Sequence, residues 1–163
     1  SDEITVLLRS PGVHVADVHK EGQLYNQLSL KGGGAKGTVG EPQMPFKGLF
    51  LEVPNGVDVT IDYSADWRLL EGNYKVLPLQ PPETDVIGST GAASFVINSD
   101  RYAADAVIPR TPITIAEDGV IRGRRVLFLE ITPIRYNPAK SILEGASQLS
   151  IQVKFSGSVD VSA

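Results

Sequence analysis

The chain has 163 residues, 42 % of them apolar and 21 % charged, with a formal charge of −4. That length can bury a two-layer core, while the acidic balance argues against a general nucleic-acid binder and no apolar run reaches the ~20 residues of a membrane-spanning helix. The absence of cysteine removes disulfides, thiol catalysis and cysteine-based zinc sites.

In chain order, residues 23–30 read as a first strand. The stretch 31–41 (KGGGAKGTVGE) reads as a flexible hairpin or strand connector. Residues 47–53 read as a strand, and Asn55-Gly56 as a tight turn, because both residues tolerate positive φ. In 57–63, Val57, Val59, Ile61 and Tyr63 alternate with Asp58, Thr60 and Asp62, which predicts a strand with one buried and one wet face. Residues 63–70 fit either one helical turn or a strand carrying Trp67. Residues 73–79 and 94–97 read as strands. Between them, 78–93 combines Pro81-Pro82 with small residues, and a long irregular stretch in a compact fold is usually functional or disordered.

Further on, 113–116 reads as a strand and Asp118-Gly119 as a second tight turn. The apolar run 126–129 (VLFL) predicts a strand covered on both sides. Asn137-Pro138 closes another strand end, and 149–155 alternates as cleanly as 57–63. No sustained helical pattern with caps occurs. Many short strands between Gly/Pro turns predict an all-β fold, a two-layer antiparallel β-sandwich with jelly-roll connections as one arrangement. No internal repeat or linker divides the chain, so 1–163 reads as one domain.

Catalytic patterns are missing. Ala35-Lys36-Gly37-Thr38 lacks the Gly-Lys-Ser/Thr order of a phosphate loop and no helix pattern follows it. His14 and His19, the two histidines, are separated by an odd number and face opposite sides of a strand. No Gly-x-Ser-x-Gly elbow is present; Gly145-Ala146-Ser147-Gln148 lacks the second glycine. Asp100, Asp105, Glu117 and Asp118 do not follow the ligand spacing of an EF-hand. The basic cluster Arg122, Arg124 and Arg125 is short, lacks interleaved aromatics and reads as a solvated edge or turn. These residues imply no cofactor, no metal and no enzyme, and leave a binding or structural module.

One ordered series of motifs goes further. Gly40-Glu41-Pro42-Gln43-Met44-Pro45 precedes Leu51-Glu52-Val53-Pro54. Leu77-Pro78-Leu79-Gln80-Pro81 follows, then Arg122-Gly123 before a hydrophobic strand, then Pro133-Ile134-Arg135-Tyr136-Asn137-Pro138. Across about 23–155 this order resembles the N-terminal prodomain of gingipain-type cysteine peptidases, the C25 family. The resemblance implies a β-rich prodomain that assists folding of a downstream caspase-like catalytic domain and keeps it latent. That catalytic domain, carried on the same precursor, would be the partner, and the catalytic Cys and His would lie there. It also implies a secreted or cell-surface protein, commonly of a Gram-negative bacterium. In the family, a loop after the Pro-x-x-Pro segment offers Arg or Lys to the peptidase specificity pocket. Here that loop corresponds to 81–93 and carries no basic residue; its charges are Glu83 and Asp85. The expected contact is therefore Glu83-Thr84-Asp85-Val86, with Asp85 seeking the pocket. Arg101 and Arg110 are the alternatives, and Arg110, in Pro109-Arg110-Thr111-Pro112, would also suit a processing site. The competing function is a structural or adhesive β-sandwich module of a bacterial surface protein.

Overall fold

The alternating segment 149–155 becomes the centre of the structure. In the computed structural model, which describes residues 3–10, 12–82 and 94–157, β10 (Ile142–Ser156) runs antiparallel to both β1 (Glu3–Arg9) and β6 (Asp58–Leu70). Leu149, Ile151 and Val153 point inward and are at most 1 % exposed. β1 and β6 add Ile4, Val6, Leu8, Val59 and Ile61 to the same face. The second layer is antiparallel, in the order β4 (Gly34–Lys36), β5 (Met44–Glu52), β8 (Arg124–Ile131), β7 (Ile113–Ile121). Its Leu127, Leu129 and Ile131 close the core from the other side. The result is the sandwich-like all-β fold that the alternation predicts.

A second apolar cluster lies beside this core. The first residues of β10 pair with β9 (Ile134–Asn137). Leu143, Ile134 and Tyr136 then meet Leu28, Leu30, Met44 and Val76. β2 (His14–Lys20) and β3 (Gln23–Ser29) form a two-stranded ribbon that presents Leu28 and the half-buried Val15 to this cluster. His14 and His19 are both exposed.

Between its two halves β10 bulges, with a register shift between Ala146 and Leu149. A bulge leaves backbone groups without a ladder partner. Asp66, on β6, takes them up: it accepts from the Ser147 hydroxyl at 2.5 Å and from the Gln148 N–H at 2.9 Å. The Ser147 bond, reinforced by the backbone bond from Gln148, holds the Asp66 carboxyl below the usual carboxylate range.

Several expectations are resolved. Asn55-Gly56 is a turn, with φ +78° at Gly56. Residues 63–70 continue β6 rather than forming a helical turn, and Trp67 pairs with Ala146. Its ring lies under the Arg135 guanidinium at 4.3 Å, and Arg135 donates to both Glu144 carboxylate oxygens at 3.1 and 3.2 Å. Asp118-Gly119 is not a turn but lies inside β7. The hairpin turns four residues later, at Arg122 and Gly123, with φ +51° and +79°, as a two-residue loop requires. Asp118 is instead gripped by Arg125 at 2.8 and 3.0 Å. The Gly-rich stretch is not only a connector, because it holds β4, and a Cβ at Gly34 would sit 2.9 Å from the Phe46 ring. The 126–129 run is covered on one side only. Val126 and Phe128 face outward beside Phe50, which is 68 % exposed.

Ile151→Ala should cost about 2–5 kcal/mol in urea unfolding, whereas Leu7→Ala, on the wet face of β1, should stay within about 0.5 kcal/mol. The Asp66 shift sets a pH dependence. A depressed carboxyl stabilises the fold above its unfolded pKa, and the contribution fades as pH falls through the lower folded value. Ser147→Ala should therefore be less stable than the parent at neutral pH, with the gap closing below about pH 4, as measured by thermal melts across pH.

Candidate functional site

Asn26 on β3 begins the platform of the site. Its N–H donates to the Lys75 carbonyl and its carbonyl accepts from the Leu77 N–H, at 2.7 and 2.8 Å. Its side-chain oxygen accepts from the Lys75 N–H at 2.9 Å. These bonds lay residues 75–77 alongside the ribbon as an extended segment, pairing through isolated bridges rather than as the full strand expected over 73–79. Pro78 interrupts any longer ladder, because it brings no N–H. On the other flank, the Gly40 N–H donates to the Leu79 carbonyl and the Leu79 N–H to the Glu41 carbonyl, at 2.8 and 2.9 Å. The Gln43 N–H reaches the Leu77 carbonyl at 3.0 Å.

The segment after the excursion returns to the same place. The Gln80 carboxamide donates to the Val96 carbonyl at 2.8 Å and accepts from the Val96 N–H at 2.9 Å. Gln80 thus ties the outgoing chain to the incoming one. The Asn98 N–H donates to the Gly40 carbonyl at 2.8 Å. Gly40 has φ +87°, and a Cβ there would lie 3.2 Å from the Asn98 nitrogen, so the site needs glycine twice over. Phe95 packs on Tyr25 with ring centroids 5.4 Å apart.

Asn98 then caps α1 (Ser99–Ala103), accepting from the Arg101 N–H at 3.1 Å. The helix seats Tyr102, whose hydroxyl donates to the Val76 carbonyl. Tyr136 donates to the Tyr74 carbonyl at 3.1 Å. Burial raises both phenols, Tyr102 well above the ordinary range, and the neighbouring Tyr136 and Tyr25 raise Tyr102 further. Both therefore stay protonated donors at neutral pH.

The expected contact residues fall differently on this frame. Glu83, Thr84, Asp85 and Val86 lie outside the described residues, between the two arms that Gln80 joins. Arg101 is committed to the platform, with its Nε 3.2 Å from Glu41. Arg110 is exposed and has no ion-pair or hydrogen-bond partner among the described residues. It stands beside Trp67 and Arg135, on a short segment between Ile108, which bridges to Tyr136, and β7. Arg101 and Arg110 therefore do not form one site. Among the described residues no three His, Asp or Glu side chains converge to hold a metal. Asp105 accepts from Asn137 and Asp118 from Arg125.

The clamp residue Gln80 escapes a reading of the sequence. Its partner is 16 positions away and no local pattern announces it. The Asn98 cap has a sequence signal, an Asn with an acidic residue in the first turn, but the helix is too short for a periodic pattern.

A sequence profile of the C25 propeptide family (Propeptide_C25) matches residues 2–163. The chain belongs to that family. Lys-gingipain of Porphyromonas gingivalis is 24 % identical over 154 residues, and the Lys-gingipain of strain HG66 is 23 % identical over the same length. The match takes in 91 % of this chain and 9 % of those relatives, so the propeptide spans under a tenth of their length. Two solved structures share its fold. One describes the zymogenic latency of gingipain K from P. gingivalis (TM-score 0.77, 22 % identity, 96 % of this chain and 88 % of that one). The other is the complex of RgpB pro- and mature domains from the same organism (TM-score 0.83, 15 % identity, 96 % of this chain and 81 % of that one).

Replacing Gln80 tests the clamp in this propeptide. Gln80→Leu should raise hydrogen exchange at the Val96 amide by tenfold or more, about the worth of one such bond. Global stability should fall by no more than about 1–2 kcal/mol.

Proposed function

We propose that residues 1–163 form one prodomain of a secreted gingipain-like cysteine peptidase, acting as intramolecular inhibitor and folding aid for a caspase-like catalytic domain on the same precursor. The observation that carries this reading is the C25 propeptide match across 2–163. The likeness to a latent gingipain K and to an RgpB pro–mature complex supports it. The Porphyromonas relatives support a secreted or cell-surface location in a Gram-negative bacterium.

The contact with the peptidase is assigned to Glu83-Thr84-Asp85-Val86. The Gln80–Val96 tie supports this, because it fixes the described residues on either side of 83–93 to one platform. Asp85 is the pocket-seeking group, and a desolvated carboxylate there requires an arginine or similar donor on the enzyme. Arg110 is the second reading, favoured by its exposure and lack of a partner among the described residues. Arg101 is disfavoured by its Glu41 pairing.

Inhibition of the cognate catalytic domain by the chain, supplied in trans, separates these readings. Asp85→Ala should weaken inhibition at least tenfold, with Arg110→Ala near the parent. The reverse pattern transfers the contact to Arg110. If the parent chain neither binds nor slows the catalytic domain, the adhesive or structural module is the correct function.

A further inference from the structure

The two outer faces of the sandwich differ in chemistry. Outside β1, β10 and β6 stand Thr5, Arg9, Gln152, Lys154, Asp58 and Asp62, with Leu7 the apolar exception. Lys154 pairs with Asp62 at 2.7 Å on this face. Outside β5, β8 and β7, in contrast, a cluster of Phe50, Phe128, Val126 and Ile121 stands among Glu52, Glu117 and Arg124, with Phe50 68 % and Ile121 57 % exposed. Phe128 rests on the backbone at Gly48, where a Cβ would come within 2.6 Å of its ring. Phe50 packs on it at 4.8 Å between centroids. The aromatic pair is thus preset against the sheet. The sequence of β8 is apolar enough for a strand covered twice, and this chain covers it once.

We infer that this face, centred on Phe50 and Ile121, is where the catalytic domain of the same precursor seats. The inference rests on the proposed prodomain function and adds a second contact surface to it. Two observations select that occupant. First, β10 ends at Ser156, paired with Asp58, and Gly157 lies against Gly56 and Val57. The same turn is held by Arg125, which donates to the Pro54 and Val57 carbonyls at 3.2 and 2.7 Å. The β7–β8 hairpin tip lies at that end too, since Glu52 pairs with Val126 and Ile121 with Arg124. A partner joined through the C-terminal end of β10 is therefore held at high effective concentration beside the patch.

Second, the end of the patch nearest the β7–β8 turn carries arginines in a chain of net charge −4, while Glu117 stands opposite Phe128 at the other end. Arg122 and Arg124 border the depression formed by Phe50, Ile121 and Val126. Arg124 has one exposed partner, Glu52, at 3.6 Å. The fitting surface is apolar at its centre and carboxylate-bearing at its edge. A two-fold pairing of copies about Ile121 would bring like-charged rims together, which is unfavourable.

The test is inhibition of the separately produced catalytic domain by the 163-residue chain. Phe50→Asp and Ile121→Glu should each weaken inhibition about thirtyfold, the effect of losing one buried apolar anchor. Leu7→Asp, on the polar face, should stay within about threefold. Near-ultraviolet circular dichroism checks folding, and Ile121→Glu, which leaves both rings of the aromatic pair in place, stands if Phe50→Asp disturbs the sheet. Potent inhibition by the parent together with unchanged inhibition by both face variants overturns the docking surface and leaves the prodomain function intact. No inhibition by the parent overturns both. A parent dimer that Ile121→Glu dissolves, with inhibition unchanged, assigns the face to a second copy and also overturns the proposal.

Discussion

Everything else in the structure depends on β10 serving two apolar clusters in succession. Its last residues bury Leu149, Ile151 and Val153 in the sandwich, and its first residues bury Leu143 in the cluster beneath the ribbon. A strand with strict alternation keeps one face inward along its whole length. Here the bulge near Ser147 resets the strand between clusters, and Asp66 satisfies the backbone that the bulge exposes. Removing that carboxylate would leave the Gln148 N–H at the bulge without its partner. The platform around Val76 stands on the first half, because Tyr136 and Val76 belong to the cluster that Leu143 completes.

Legibility in the sequence followed the range of each interaction. Period-two patterns in 57–63 and 149–155 reveal β6 and β10 because burial on one face is a local requirement. The Asn55-Gly56 turn is legible for the same reason. The misplacement of the second hairpin turn has a physical cause. Asp-Gly and Arg-Gly can each supply the needed positive φ, and the choice falls to Asp118, whose carboxylate is held by Arg125 within the strand. β1 and β2 have weaker alternation and owe their pairing to β10 and β3. The Gln80 clamp, the Gly40 close approach and the Tyr102 bond are contacts between distant segments, which periodicity does not encode. The family was legible through an ordered series of short motifs, several of which become structural parts. Gly40 and Glu41 flank Leu79, Pro42 bridges to Pro78, and Tyr136 anchors the second cluster.

The outer faces show how one sequence separates solubility from recognition. Alternation places Lys154, Gln152 and Asp62 outward on one layer, and the same alternation places Phe50, Phe128 and Ile121 outward on the other. Both patterns build equally good strands, so the difference carries no benefit for the fold. It concentrates apolar surface at the end of the sandwich where the chain leaves β10, with arginines at its border.

The carboxamide of Gln80 has an entropic consequence. Bringing the ends of a free segment of this length together costs on the order of 2 kcal/mol, with a weak logarithmic dependence on length. Here the ends already meet at Val96, joined by two hydrogen bonds on a platform built from β3, Gly40 and α1. Closure is therefore settled when the chain folds, and a partner that grips the intervening residues does not bear it again.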